Sequence, residues 1–367
     1  MVCCSCSSNI HRDPISLADL DDPQVPNMQD VRFWGDTPPA NISALNRDVD
    51  ARRRAAGLGG AFNVLALSGG AENGAFSAGA LKAWSESGSR PEFLVVTGVS
   101  TGALAAPFAY LGSDYDDDLR QFFGGLEPDS IFKVRSLFGV LPNASRYSSE
   151  PLRETIEAYI TPEFLAAIAK QHERGRRLLV QTTSLDAQRA VIWDLGAIAA
   201  SGAPNAPDLF RDVLLASSAM PAIFPPVLIE VETPDGVRDE LHVDGGVISQ
   251  STSLNSWRHS SQLAGRPTLY LIRNGKIAPE PNVTDANLLS IAERSLTTLT
   301  KNQGASELEL GYKLARATNA RYRVAWIGED FTLPLAEPFD PEYMRALYSY
   351  GYDSFKSGDF WRSGPPR

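Results

Sequence analysis

Three short stretches carry residue types that could do chemistry. The first is Ser68-Gly69-Gly70-Ala71-Glu72-Asn73-Gly74, the second Gly98-Val99-Ser100-Thr101-Gly102, and the third Asp244-Gly245-Gly246. The middle one fits G-x-S-x-G, a spacing that lets a strand turn hard into a helix with the serine at the apex. Small neighbours leave the hydroxyl room, and the helix N-terminus beneath it favours developing negative charge. The first stretch offers consecutive backbone N–H groups that could hold an anion. Its rivals are nucleotide loops. The offsets of Gly69, Gly70 and Gly74 do not make G-x-G-x-x-G, and no G-K-S/T closes a P-loop. The ester oxygen is therefore a better occupant than a phosphate.

A serine hydroxyl needs a base. The chain has four histidines, His11, His172, His242 and His259. His11 lies in a polar leader, and His172 lies in Lys170–Arg177, which reads as a solvated helix end. His259 sits in a polar stretch and would complete a Ser-Asp-His order. His242 precedes Asp244 by two residues and would share its face on a strand. A carboxylate is the other choice. An unperturbed aspartate titrates near ~3.9 and is ionised at neutral pH. Read from the residues alone, Asp244 is either that base or a turn cap.

The elements that must position these groups follow from periodicity. Asn63–Leu67 and 93–98 read as buried strands, and 75–88 and 101–112 as helices of small and apolar residues. Strand, helix, strand, helix, joined by glycines, is the pattern of a parallel sheet. Further strands are expected at 176–185, 190–195, 266–273 and 322–328. A helix is expected at 208–220, a long one broken near Gly304 at 288–320, and a final one from Pro341 with Tyr343, Leu347, Tyr350 and Phe355 as core anchors. Residues 1–60 are polar with repeated prolines and read as an extended leader, of which Val31–Asp36 packs onto the body. Arg52-Arg53-Arg54 reads as a solvated helix face, and the acidic run at Asp114 and Asp116–Asp118 as a helix start. The rest, 61–367, reads as a single three-layer α/β/α domain with a mainly parallel central sheet and a helical region at about 285–360.

Together the three motifs resemble the patatin-like phospholipase family, in which a glycine-rich oxyanion loop, G-x-S-x-G and a distant D-G-G/A occur in this order. Leu214–Val227, with Ala216-Ser217-Ser218-Ala219, resembles the family segment that leads toward the aspartate. The resemblance covers about 61–275. It implies Ser100 as nucleophile, Asp244 as base without histidine, and Gly69, Gly70 and Ala71 as oxyanion donors. It implies hydrolysis of lipid esters, of the phospholipase A or lysophospholipase kind, through an acyl-enzyme. The alternatives are a carboxylesterase of non-phospholipid esters with the same dyad, and a silent lipid-binding scaffold. No metal or other cofactor is expected. Where the family loop reads D-G-G-G-x-R/K-G, this chain has Ser68, Ala71 and Asn73; the missing cation would weaken a grip on phosphate headgroups.

Composition narrows the partners. With 34 Lys and Arg against 44 Asp and Glu, the net charge is -10, which opposes nucleic acid. The expected partner is a lipid or ester substrate at a membrane or micelle surface. Ile131–Leu141 is either an apolar cap or a satellite core under a loop. Cys3, Cys4 and Cys6 are the three cysteines. They suit either the start of a bacterial envelope lipoprotein or an inert cytoplasmic terminus.

Overall fold

Within the strand Asn63–Leu67 (β2), Leu65 and Leu67 enter one hydrophobic core while Val64 and Ala66 enter another. Successive residues of a strand point to opposite faces, so β2 lies in a middle layer with packing on both sides. The same alternation holds in Thr268–Lys276 (β8), where Ile272 faces the first core and Leu269 and Leu271 face the second. The computed structural model describes residues 11–21, 23–58, 62–123, 149–252 and 266–366.

The sheet runs β1-β5-β4-β3-β2-β8-β9. Val95–Val99 (β3), Arg177–Ser184 (β4), β2, β8 and Arg321–Ile327 (β9) run parallel to one another along this path. Arg32–Trp34 (β1) and Arg189–Asp194 (β5) close one edge antiparallel. A hairpin of Val227–Thr233 (β6) and Gly236–Asp244 (β7) joins through β7, which pairs antiparallel with the end of β4. Gly74–Glu86 (α2), Thr101–Leu111 (α3), Ala206–Ser217 (α8) and Pro341–Lys356 (α10) supply the larger core. Ile42–Ala55 (α1) and Leu288–Ala317 (α9) contribute to the smaller one. This is the expected three-layer α/β/α arrangement. Tyr343 and Leu347 of α10 are buried, with Tyr350 and Phe355 packed against the same core.

Three expectations change. The segment before residue 60 is not simply extended, because β1 satisfies the free edge of β5 and α1 buries Val49 and Arg53. Arg53 is therefore not on a solvated face; it lies 3.2 Å from Asp50. The long helix is continuous through Gly304, since that glycine answers to a neighbour: a Cβ there would sit 1.8 Å from Arg273 Nη1. Cys3, Cys4, Cys6, Ile131–Leu141 and His259 lie outside the described residues.

Candidate active site

Register brings the serine and the aspartate together. The last pair between β3 and β4 is Val99–Gln181. One residue on, β4 takes a new neighbour, with Thr182 opposite Asp244, the last residue of β7. Strands β3 and β7 thus meet end to end beside β4, and the residues at their tips, Ser100 and Asp244, converge. Gly245 packs against β4 and the tip of β3; a Cβ there would lie 2.4 Å from the Gln181 carbonyl and 3.1 Å from Val99 Cγ1.

Ser100 sits at φ 55°, ψ -127°, a sparsely populated backbone region for a residue with a side chain. Such a conformation costs ~1–3 kcal/mol and persists only where its surroundings hold it. Here the Ser100 amide donates to Ser217 Oγ, which in turn donates to the Gln181 carbonyl. Gly102 allows the turn to tuck in, since a Cβ there would lie 2.2 Å from the Leu67 carbonyl.

Asp244 is 1% exposed. Its amide donates to the Ala219 carbonyl, and its Oδ1 accepts from the Gly246 amide at 2.7 Å. Burial pushes its carboxyl up to about 7, against the opposing pull of the Ser100 hydroxyl and the Gly246 amide. Oδ2 is buried and has no partner of standard hydrogen-bond geometry, so one carboxylate oxygen remains available.

The glycine turn abuts the serine: a Cβ on Gly69 would lie 3.2 Å from Ser100 Cβ. The Gly69 amide, expected as an oxyanion donor, is already committed to the Gln250 carbonyl at 3.0 Å. Gly69 therefore anchors the turn and permits close approach, and the amides with no acceptor among the described residues are those of Gly70 and Ala71. Asn274 of β8 holds the turn from below, donating from its amide to Ser68 Oγ and from Nδ2 to the Ser68 carbonyl. It leaves no room at Gly70, where a Cβ would lie 2.0 Å from the Asn274 carbonyl oxygen. Ala71 adopts φ 49°, so the alanine keeps a backbone shape suited to glycine. Asn73 accepts from the Tyr343 hydroxyl, and burial pushes the neighbouring Glu72 carboxyl up to about 7.

The histidines are elsewhere. His242 is fully buried, sharing hydrogen bonds with Thr182 and Glu240. His172 is not a solvated helix end; it is partly buried with Nδ1 3.5 Å from Asp194. Asp194 is level with Leu179 and hence with Thr97, midway along β3 and short of the tip that carries Ser100. His11 is exposed. Among the described residues no cluster of three His, Cys, Asp or Glu is disposed to hold a metal, and no helix is long and apolar enough to cross a membrane.

Sequence reasoning missed Gln181, Gln250, Asn274 and Glu307, which carry no local motif. Ser217 lies in the segment Leu214–Val227, but its spacing there points to no role.

A family model for patatin-like phospholipases matches residues 65–252, just over half of the chain. The chain belongs to the patatin-like phospholipase family. Among solved structures it is similar to VipD from Legionella pneumophila, at 14% identity and a TM-score of 0.37, over 81% of this chain and 66% of that one. It is also similar to the human GIVD cytosolic phospholipase A2, at 11% identity and a TM-score of 0.30, over 86% of this chain and 55% of that one. The chain thus spans less than two thirds of either structure's length. No curated protein matches it.

Proposed function

We propose that the protein is a serine acyl hydrolase that cleaves carboxylic esters of lipids, of the phospholipase A or lysophospholipase type, with Ser100 as nucleophile and Asp244 as base. The observation that carries this reading is the convergence of Ser100 and Asp244 at the tips of β3 and β7 with the glycine turn against them. Ser100 Oγ attacks the ester carbonyl carbon while Asp244 takes its proton. The amides of Gly70 and Ala71 receive the oxyanion. The carbon–oxygen bond then breaks, the alcohol leaves with the proton from Asp244, and Asp244 next takes a proton from water as it attacks the acyl-enzyme. Substrate is drawn from a membrane or micelle surface.

A second reading, a carboxylesterase of non-phosphorylated esters with the same dyad, is favoured by one local feature. Asn73 is tied to Tyr343 and the adjoining side chain is the acid Glu72, so the turn presents no cation to a phosphate. Turnover of p-nitrophenyl esters of graded chain length, beside phosphatidylcholine and lysophosphatidylcholine micelles, separates the two. In either case Ser100→Ala and Asp244→Asn are expected to lose at least ~10³-fold in kcat. Turnover retained in Ser100→Ala would overturn both.

A further inference from the structure

Glu307 lies on α9, beyond the residues matched to the family, and is half-buried beside the tail of the aspartate motif. Its Oε1 accepts from the Gln250 amide at 2.8 Å, and its Oε2 accepts from the Ser251 amide at 2.8 Å and the Ser251 hydroxyl at 2.7 Å. Three donors converge on one side chain. A carboxylate accepts all of them, whereas an amide would turn its NH2 toward a donor. Burial raises the Glu307 carboxyl above its ordinary value, and these donors together with the buried Arg273 favour the ionised form.

The Ser251 amide and the Gln250 carbonyl belong to one planar peptide unit, so orienting one orients the other. That carbonyl accepts the Gly69 amide at 3.0 Å. A single rigid plane therefore runs from Glu307 through the 250–251 peptide to the oxyanion turn. A carboxylate at the N–H end polarises the carbonyl end and strengthens its bond to Gly69. The Gln250 side chain ties in the other half of the site, since its Nε2 donates to the Gly246 carbonyl at 3.0 Å and the Gly246 amide holds Asp244.

We infer that Glu307 is a positioning residue for the ester hydrolysis proposed above, setting the Gly69–Ala71 turn against Ser100 through the Gln250–Ser251 peptide. It touches no substrate. Its effect falls on the step that needs the oxyanion donors aligned, while the binding of the acyl chain is left largely unchanged.

The test compares wild type, Glu307→Gln and Ser251→Ala on a soluble p-nitrophenyl ester, with active sites titrated by an organophosphonate. Glu307→Gln is expected to lower kcat per titrated site ~10- to 100-fold, with KM within about twofold and phosphonylation slowed in parallel. Ser251→Ala, which removes one of three donors, is expected to lower kcat about threefold. An unchanged kcat per titrated site in Glu307→Gln overturns the inference. If that variant does not fold, an unchanged kcat in Ser251→Ala overturns it. Amide exchange at Gly69, measured in the Ser100→Ala background, reads the coupling without turnover. Faster exchange on removing the Glu307 charge or the Ser251 hydroxyl supports the inference, and unchanged exchange overturns it. A wild type without Ser100-dependent turnover would sink the hydrolase reading while leaving the exchange result to decide the coupling.

Discussion

The Ser100 amide and the Ser217 hydroxyl lie 3.0 Å apart, joining the apex of the serine turn to the C-terminal residue of α8. The same hydroxyl donates to the Gln181 carbonyl at 2.7 Å, so it is filled as both donor and acceptor. Ser217→Ala removes the acceptor of the half-buried Ser100 amide and one donor to the Gln181 carbonyl. It is expected to cost ~1–3 kcal/mol of stability and to lower kcat about tenfold as the serine turn relaxes. Thermal unfolding and ester turnover measured on one preparation check both.

Ser100 holds a backbone conformation suited to glycine. Ser100→Gly is therefore expected to be more stable than wild type by ~1 kcal/mol or more, because a strained φ is relieved, while turnover is abolished. Ser100→Ala keeps the strain and should unfold close to wild type. Denaturant midpoints of the three proteins test this ordering.

The pH dependence departs from what a solvent-exposed aspartate would give. With the Asp244 carboxyl near 7, kcat/KM is expected to rise with pH and level off above about 7, a profile that histidine would share. The pH profile therefore does not distinguish the bases; substitution does. His242→Ala removes a buried hydrogen-bonding group and is expected to lower thermal stability while kcat per titrated site stays within about threefold.

Stability carries the opposite sign. Folded Asp244 keeps its proton up to about 7, whereas an unfolded aspartate releases it near ~3.9. The stability gained by holding that proton is complete below the unfolded value and is lost as pH rises through about 7. Asp244→Asn, which keeps an acceptor for the Gly246 amide, is expected to raise the unfolding temperature at pH 8 by roughly 2 °C or more, with little gain at pH 4. Calorimetry at the two pH values checks it.

The glycine turn offers a paired contrast. Gly70→Ala would drive a methyl into the Asn274 carbonyl and is expected to cost ~1–3 kcal/mol and most of the activity. Ala71→Gly would relieve a positive φ and is expected to gain ~1 kcal/mol with turnover retained, since the donor is main chain. Unfolding and turnover of both variants test the pair.

The strands and helices around Ser100 were legible because each is a short apolar run punctuated by glycine. Ser100 and Asp244 stood out because their neighbours are small. What stayed hidden was relational. Nothing in Gln250 or Glu307 signals that they meet, since they are 57 residues apart and come together only when α9 lies beside the segment after Gly246. Gly304 read as a break because a glycine's sequence neighbours cannot reveal an arginine pressed against it. The aspartate was expected at its solution value because burial is a property of the folded sheet. The spent amide of Gly69 could not be foreseen without the Gln250 carbonyl that the fold brings to it.

Arg32 of β1 donates to Glu240 of β7, and both side chains are almost wholly enclosed, with His242 as a further neighbour of the carboxylate. Burial opposes the charge on Glu240, yet Arg32 and His242 more than reverse it and hold the carboxyl below its ordinary range. The recognisable stretch from 65 to 252 thus excludes the cation that one of its own inward acids depends on. A fragment cut to those limits would strand an anion in the interior on the very strand that ends in Asp244. The boundary by which kinship is recognised is narrower than the boundary within which this protein can be physically whole.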